Sequence, residues 1–258
     1  MNTKGTYEWA EKTINIQTGC SAGCIYCYAR EAADRRKQCD WENWTFPELR
    51  QHDISPSYKR RYDGWVMFPS THNIDNFNFL PSMHVIHKLL KAGNKVLLVM
   101  KPHNHTIHQI MKLFNKYRHM IEFRFTIGTR HEHLRELFEP YASHIKERIG
   151  VVRLLYATDW RVSVSIEPFL DKDPEVLVNK LTNIGHEETH IPVWIGPMNH
   201  RQRLYKVSSQ LNYLSFYLED IYRSDNLIRI YKLLSSYKNV TFKDGFLTQI
   251  SQKVSKND

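Results

Sequence analysis

Three of the four cysteines fall within eight residues, in the run Thr18-Gly19-Cys20-Ser21-Ala22-Gly23-Cys24-Ile25-Tyr26-Cys27. Thiolates hold iron–sulfur clusters, and a cubane takes four ligands in all. Three thiolates at C-x3-C-x2-C spacing on one tight loop hold three irons and leave the fourth open. An open position is what separates a reactive metal site from a closed structural one. Gly19, Ala22 and Gly23 are small, so the backbone can wrap closely around such a group. Zinc held with one of the 14 histidines is the competing reading. Zinc ribbons usually show paired C-x2-C knuckles, so the spacing argues against it.

The elements that must position this loop can be read from hydrophobic patterning. Short β-rich runs alternate with helical ones, the pattern of βα units on a parallel sheet. The runs are Thr13 to Ile16, Trp65 to Phe68, Lys95 to Met100, Ile121 to Ile127, Arg161 to Ile166 and His190 to Ile195. Helices are expected over about 28–37, from Pro81 to Gly93, over 106–117, over 131–157 with a break near Pro140, and from Pro174 to Gly185. Six βα steps predict a full or partial α/β barrel, with its active site at the C-terminal ends of the strands. A chain of 258 residues suits a single such domain. Residues 201–258 read as a mostly helical C-terminal extension with a possible strand at Val240 to Phe242. Residues 39–64 break the rhythm. They carry Trp41, Trp44, Tyr58 and Tyr62 around Lys59, Arg60 and Arg61, and read as a lid or substrate loop, with a surface excursion packed on the barrel as the alternative.

The Cys loop resembles the radical S-adenosylmethionine (SAM) superfamily signature: C-x3-C-x2-C after a first strand, with an aromatic residue, Tyr26, directly before the last cysteine. Further short matches follow at successive strand ends: Phe68-Pro69-Ser70-Thr71, Val99-Met100-Lys101-Pro102, Phe138-Glu139-Pro140 to Glu147-Arg148, and Ser165-Ile166-Glu167-Pro168. Together they are similar to the spore photoproduct lyase-like branch and to uncharacterised phage-borne radical SAM proteins. The resemblance implies a partial (β/α)6 TIM-like barrel with a [4Fe–4S] cluster on Cys20, Cys24 and Cys27. It implies that SAM binds the open iron and is cleaved to a 5′-deoxyadenosyl radical, with electrons from a flavodoxin- or ferredoxin-like reductant. It places Ser70 and Thr71 where relatives carry a Gly-Gly-Glu-like grip on the SAM amino group, although the glycines and glutamate are missing here. It sets Lys101 against the SAM carboxylate and Thr126 near the ribose or carboxylate. Glu167 falls at the ribose hydroxyls or amino group, and Trp194, Gly196 and Asn199 fall around adenine.

Other residues are less specific. Cys39 is either a hydrogen-atom donor to a product radical or a helix-end thiol. His103, His105, His108, His131 and His133 read as polar loop and helix-start residues, and His72 as the histidine most apt to face substrate. No cysteines downstream suggest a second cluster. The net charge of +9 favours an anionic partner such as nucleic acid or a nucleotide, with ordinary solubility charge as the alternative. With no apolar leader and no run near the roughly 18 apolar residues of a membrane span, a cytoplasmic protein is expected, in which thiols stay reduced. Two further functions stay open: a radical enzyme acting on a peptide or metabolite, and a non-catalytic iron–sulfur protein that binds nucleic acid.

Overall fold

The computed structural model describes residues 5–185, 190–198, 204 and 212–254. The strands are β1 (Lys12–Thr13), β2 (Gln17–Thr18), β3 (Glu48–Leu49), β4 (Trp65–Phe68), β5 (Lys95–Met100), β6 (Ile121–Thr126), β7 (Arg161–Ile166), β8 (Val193–Ile195) and β9 (Val240–Phe242). The helices are α1 (Tyr28–Arg35), α2 (Gln51–Ile54), α3 (Phe79–Lys91), α4 (Asn104–Phe114), α5 (Glu132–Phe138), α6 (Ile145–Ala157), α7 (Pro174–Thr182), α8 (Asn212–Ile221), α9 (Ser224–Leu234) and α10 (Asp244–Val254). Seven strands form one α/β sheet in the order β1-β4-β5-β6-β7-β8-β9, and each of its pairings is parallel. β2 and β3 form a separate antiparallel pair.

Sequence pattern explains the layering. β7 alternates, so Val162, Val164 and Ile166 join the main core while Ser163 and Ser165 take the other face. β5 is almost wholly apolar because both its faces are covered: Val96, Leu98 and Met100 join the main core, and Leu97 joins a smaller cluster with Ala10 and Met67. α3 buries Met83, Val85, Ile86, Leu89 and Leu90 against the sheet side, each burial contributing roughly 1.5–3 kcal/mol.

The sheet is open in its ladder: among the described residues β1 and β9 do not pair. Its two ends are nevertheless bridged. Lys243, just past β9, donates to the Gly5 carbonyl at 2.9 Å and pairs with Glu8 at 3.0 Å, and the Asp244 amide donates to Glu8 at 3.3 Å. Residues 5–9 lead directly into β1, so the sheet curls enough to bring its first and last strands to one short segment. No helix among the described residues is long and apolar enough to cross a membrane.

One expectation changes. The strand expected over Thr13 to Ile16 is split, because Asn15 turns aside and accepts from the Ser70 and Thr71 amides at 2.7 and 3.0 Å. The strand expected at Val240 to Phe242 forms as β9, parallel to β8, within an otherwise helical C-terminal region.

Candidate metal and cofactor site

The Cys loop leaves β2 at the C-terminal end of the sheet. Gly19 and Gly23 adopt φ of 87° and 61°, the left-handed region that glycine enters without strain. A Cβ on Gly19 would lie 2.8 Å from the Trp44 carbonyl oxygen, and one on Gly23 would lie 2.7 Å from the Tyr141 ring. The loop is pinned by the Cys20 amide donating to Trp44 O at 2.8 Å and the Ile25 amide donating to Phe138 O at 3.0 Å. Cys27 caps α1, its sulfur accepting from the Arg30 amide at 3.4 Å. All three thiols are free, and Cys20 and Cys24 are buried.

Burial, with Cys27 nearby, pushes the Cys20 thiol up to about 11, and burial pushes Cys24 up to about 12 against the pull of Lys101. Burial also raises Cys27. Reactive cysteines depend on a lowered pKa, so this trio is unsuited to nucleophilic catalysis as free thiols. A bound metal deprotonates a coordinating thiol outright, which makes ligation the chemistry open to them. Among the described residues no three His, Cys, Asp or Glu side chains converge as ligands of a metal ion.

A buried ionic network lies behind the loop. Glu139, at the end of α5, accepts from the Tyr26 hydroxyl, sits 3.8 Å from Lys101 Nζ and lies 2.6 Å from Arg148 Nη2. Glu139 is 1% exposed and Arg148 0%, so the pair is fully desolvated. Burial opposes ionisation of Glu139, but Lys101 and Arg148 hold its carboxyl below the usual range. Burial likewise opposes the charge on Lys101, yet Cys24 and Glu139 hold its pKa above the ordinary lysine value. Arg148 also donates to Ser143 O at 2.9 Å and Thr126 O at 3.0 Å, tying β6 to this network. The sequence marked the Phe138-Glu139-Pro140 segment but gave Glu139 no role. A single carboxylate in a long helical stretch carries no periodic signal for such a contact.

The other expected residues separate into groups. Lys101 stands with the cysteines, 5.6 Å from the Tyr26 ring centroid. Ser70 and Thr71 are partly exposed on the loop after β4, held to Asn15 by the bonds above and by Asn15 Nδ2 donating to Ser70 Oγ at 2.9 Å. Thr126 ends β6 directly opposite Ser165 of β7. Glu167 lies 3.8 Å from Lys243, and burial raises its carboxyl despite that cation. Gly196 faces these two: a Cβ there would meet Lys243 at 3.0 Å and Glu167 at 3.1 Å. Trp194 lies on the face of the sheet away from the main core, its ring centroid 4.9 Å from the Arg124 guanidinium. Asn199 lies outside the described residues. Cys39 is partly buried and packs with the apolar cluster containing Cys20, Cys24 and Trp44.

His72 is corrected from substrate-facing to structural. It is buried, accepts from the Ile16 amide at Nε2 (3.2 Å) and meets the Asn73 carbonyl through Nδ1 (2.9 Å), so Nδ1 carries the proton. Burial pushes its pKa down to about 4, and the ring is neutral at physiological pH. Segment 39–64 also divides. Trp44 packs beside the Cys loop, whereas Tyr62 N and the Arg60 carbonyl bond Asn94, immediately before β5. Lys59, Arg60 and Arg61 therefore sit at the opposite end of the strands from the cysteines. An open cleft of about 830 Å³ on the outer helices, lined in part by Asn104, Glu132, His144 and Glu147, contains none of the cysteines. Its carboxylates serve helix starts: Glu147 accepts from Asn104 N at 2.7 Å and Glu132 from Ile145 N at 3.0 Å.

No family model matches the chain. The chain is similar to the uncharacterized protein ORF301 of Acidianus two-tailed virus, with 24% identity over 204 residues, covering 70% of this chain and 65% of the viral protein. The match thus spans a little under two thirds of the length of that relative.

Proposed function

We propose that the protein is a radical SAM enzyme, and that its sheet is the partial (β/α)6 barrel of that class. The observation that carries the proposal is the placement of three free thiols, two of them buried, on one glycine-shaped loop at the C-terminal end of a parallel sheet, with the cation of Lys101 beside them. The curl that brings Lys243 to Gly5 and Glu8 supports the barrel. The donor set fits a [4Fe–4S] cluster held by Cys20, Cys24 and Cys27: soft sulfur ligands, small residues around them, and a dry wall that includes Ala22, Ala142 and Trp44. A single ion needs its ligands to converge on one point, whereas a cubane gives each thiolate its own iron. When bound, such a cluster supplies the electron that cleaves SAM to methionine and a 5′-deoxyadenosyl radical, which takes a hydrogen atom from substrate.

The chain's own residues would then position SAM. Lys101 offers a point charge to the SAM carboxylate, held in place by Glu139 and by the Asn73 side chain, which bonds both its amide and its carbonyl at 3.0 Å. Glu167, Thr126 and Trp194 line the same strand ends and suit the ribose and adenine. Ser70 and Thr71 present backbone and hydroxyl groups in place of the missing glutamate. Cys39 stays a candidate hydrogen donor by its proximity to the loop. An external one-electron donor of the flavodoxin or ferredoxin kind and a cytoplasmic location complete the reading. The experiment that tests it is detection of 5′-deoxyadenosine from anaerobically reduced, reconstituted protein and SAM.

Lys101→Ala and Glu167→Ala should each weaken SAM binding while leaving iron content unchanged. Loss of a charged hydrogen-bonding partner costs about 1.5–3 kcal/mol, so affinity should fall roughly tenfold or more in equilibrium dialysis. Unaltered affinity in both variants would remove these residues from the cofactor site.

A further inference from the structure

No Asp or Glu occurs between Asp75 and Glu122, and none between Asp53 and Asp63. The fold brings cations of these two stretches to one place, around the C-terminal end of α3 and the start of β5. The Asn94 side chain accepts from the Tyr62 amide at 2.9 Å and donates to the Arg60 carbonyl at 3.0 Å. A Cβ on Gly93 would lie 3.6 Å from Arg61 Cδ. Lys88 Nζ donates to the carbonyls of Ile54 and Pro56, both at 3.0 Å, and fixes the 54–62 stretch against α3. From the other side, the His87 ring centroid lies 6.4 Å from that of Phe114 and 6.3 Å from that of Tyr117, which sets the end of α4 beside the C-terminal part of α3.

The cations gathered here are exposed and unmatched. Lys59, Arg60, Arg61, Lys91, Lys95 and Lys116 all face solvent, and among the described residues none of them is in an ion pair. Arg118, by contrast, meets Asp159 at 3.3 Å. Of the carboxylates that bound the two stretches, Asp53 is taken by Arg50 at 2.6 Å and Glu122 by Arg124 at 2.9 Å, which leaves Asp63 against the six. Burial, then Lys91, Lys116 and His84, lower the pKa of His87, as expected where these charges converge on one ring. Like charges held together repel and weaken the compact state, so a cluster this one-sided is stabilised by an anionic partner. Two rings sit among the cations: Arg60 lies 4.9 Å from the Tyr62 centroid, and Lys116 4.9 Å from that of Tyr117. Aromatics interleaved with cations suit a strand that carries both phosphates and bases.

The spread of the charge selects the partner. Cations drawn from three segments onto one open face match a repeating anion better than a single small one. A membrane surface would need an apolar face to insert. Here α3 and α4 bury theirs, with Ile86, Leu90, Ile107, Ile110 and Phe114 in the core, and Leu113 is the large apolar side chain left exposed at this end of the two helices. We infer that this end of the sheet, opposite the Cys loop, is a nucleic-acid-binding face that holds a strand through its phosphates, with Lys59, Arg60, Arg61, Lys91, Lys95 and Lys116 as its contacts. The inference goes beyond the radical SAM reading and does not rest on it, since the face shares no residue with the proposed cluster and SAM site.

The test is fluorescence anisotropy of a labelled oligothymidylate titrated with full-length reconstituted protein over a series of potassium chloride concentrations. Affinity should fall linearly with salt on logarithmic axes, each phosphate contact contributing a slope of about −0.7 on a single strand. Lys59→Gln/Arg60→Gln/Arg61→Gln should flatten that slope by about 2, and Lys91→Gln/Lys116→Gln by about 1.4, on the same rule. Arg36→Gln/Lys146→Gln removes as much charge as the second variant but outside these stretches, and should leave the slope at the wild-type value. No binding at low salt, a wild-type slope in both face variants, or equal flattening in the Arg36/Lys146 variant overturns the inference. So does binding to phosphatidylserine vesicles without binding to the oligonucleotide, which would give the face to a membrane surface. Anisotropy reads binding alone, so a bound oligonucleotide without 5′-deoxyadenosine would count against the radical chemistry and not against this face.

Discussion

Replacing Cys20, Cys24 or Cys27 with alanine is expected to abolish the cluster, with reconstituted iron falling from about four per chain, the content of a cubane, to background. The effect should be complete in each case because each thiolate holds its own iron. Among the described neighbours of the loop, Lys101 and Arg30 are cations, Glu139 is engaged by Tyr26 and Arg148, and Asp75 accepts from Ser21. Cys39→Ala should leave iron content intact, since Cys39 lies beyond α1 and its sulfur is turned to the Asp40 carbonyl at 3.5 Å. Iron and sulfide analysis with ultraviolet–visible and electron paramagnetic resonance spectra checks this. Equal loss in all four variants would contradict a three-cysteine site with an open iron.

Glu139→Gln is expected to be the most destabilising conservative change near the site. Among the described residues it removes the one carboxylate set against the fully buried Arg148 and beside Lys101. Breaking a buried pair typically costs about 3–5 kcal/mol because an uncompensated charge is left inside. For a chain of this size that lowers Tm by roughly 6–20 °C. Adding Lys101→Met to Glu139→Gln removes one stranded cation and should restore part of the loss. The wild-type pair also sets a pH dependence. The folded carboxyl is depressed, so its contribution is complete above the ordinary carboxylate range and is lost as pH falls through the lowered folded pKa. Acid unfolding of Glu139→Gln should lack that component. A variant as stable as wild type at neutral pH would show that this network does not anchor the loop.

The parts of the fold that were legible in the sequence are those governed by local pattern. β4, β5, β6 and β7 start where the apolar runs start, and Val-Ser-Val-Ser-Ile announced a strand with one core face and one polar face. The cysteine spacing marked the candidate metal site, and Lys101 fell beside it. Long-range contacts were illegible. Asn15 interrupts the first strand only because loop 70–71 comes back to meet it. His72 looks like a surface histidine until Ile16 covers it. Lys59 to Arg61 read as part of a lid because one polar segment gives no sign of where it turns, yet the contacts with Asn94 fix them at the far end of the sheet. The polar cluster of Arg124, Trp9 and Trp194 draws on residues spread over more than 180 positions, which no local window could join.

The most direct test of the proposed chemistry is the product of SAM cleavage. Anaerobically reconstituted protein, reduced with dithionite and supplied with SAM, should form 5′-deoxyadenosine and methionine, measured by liquid chromatography and mass spectrometry. Cys24→Ala treated identically should form neither. A wild-type protein that holds about four irons and binds SAM, yet yields no 5′-deoxyadenosine under these conditions, would contradict the assignment as a radical SAM enzyme.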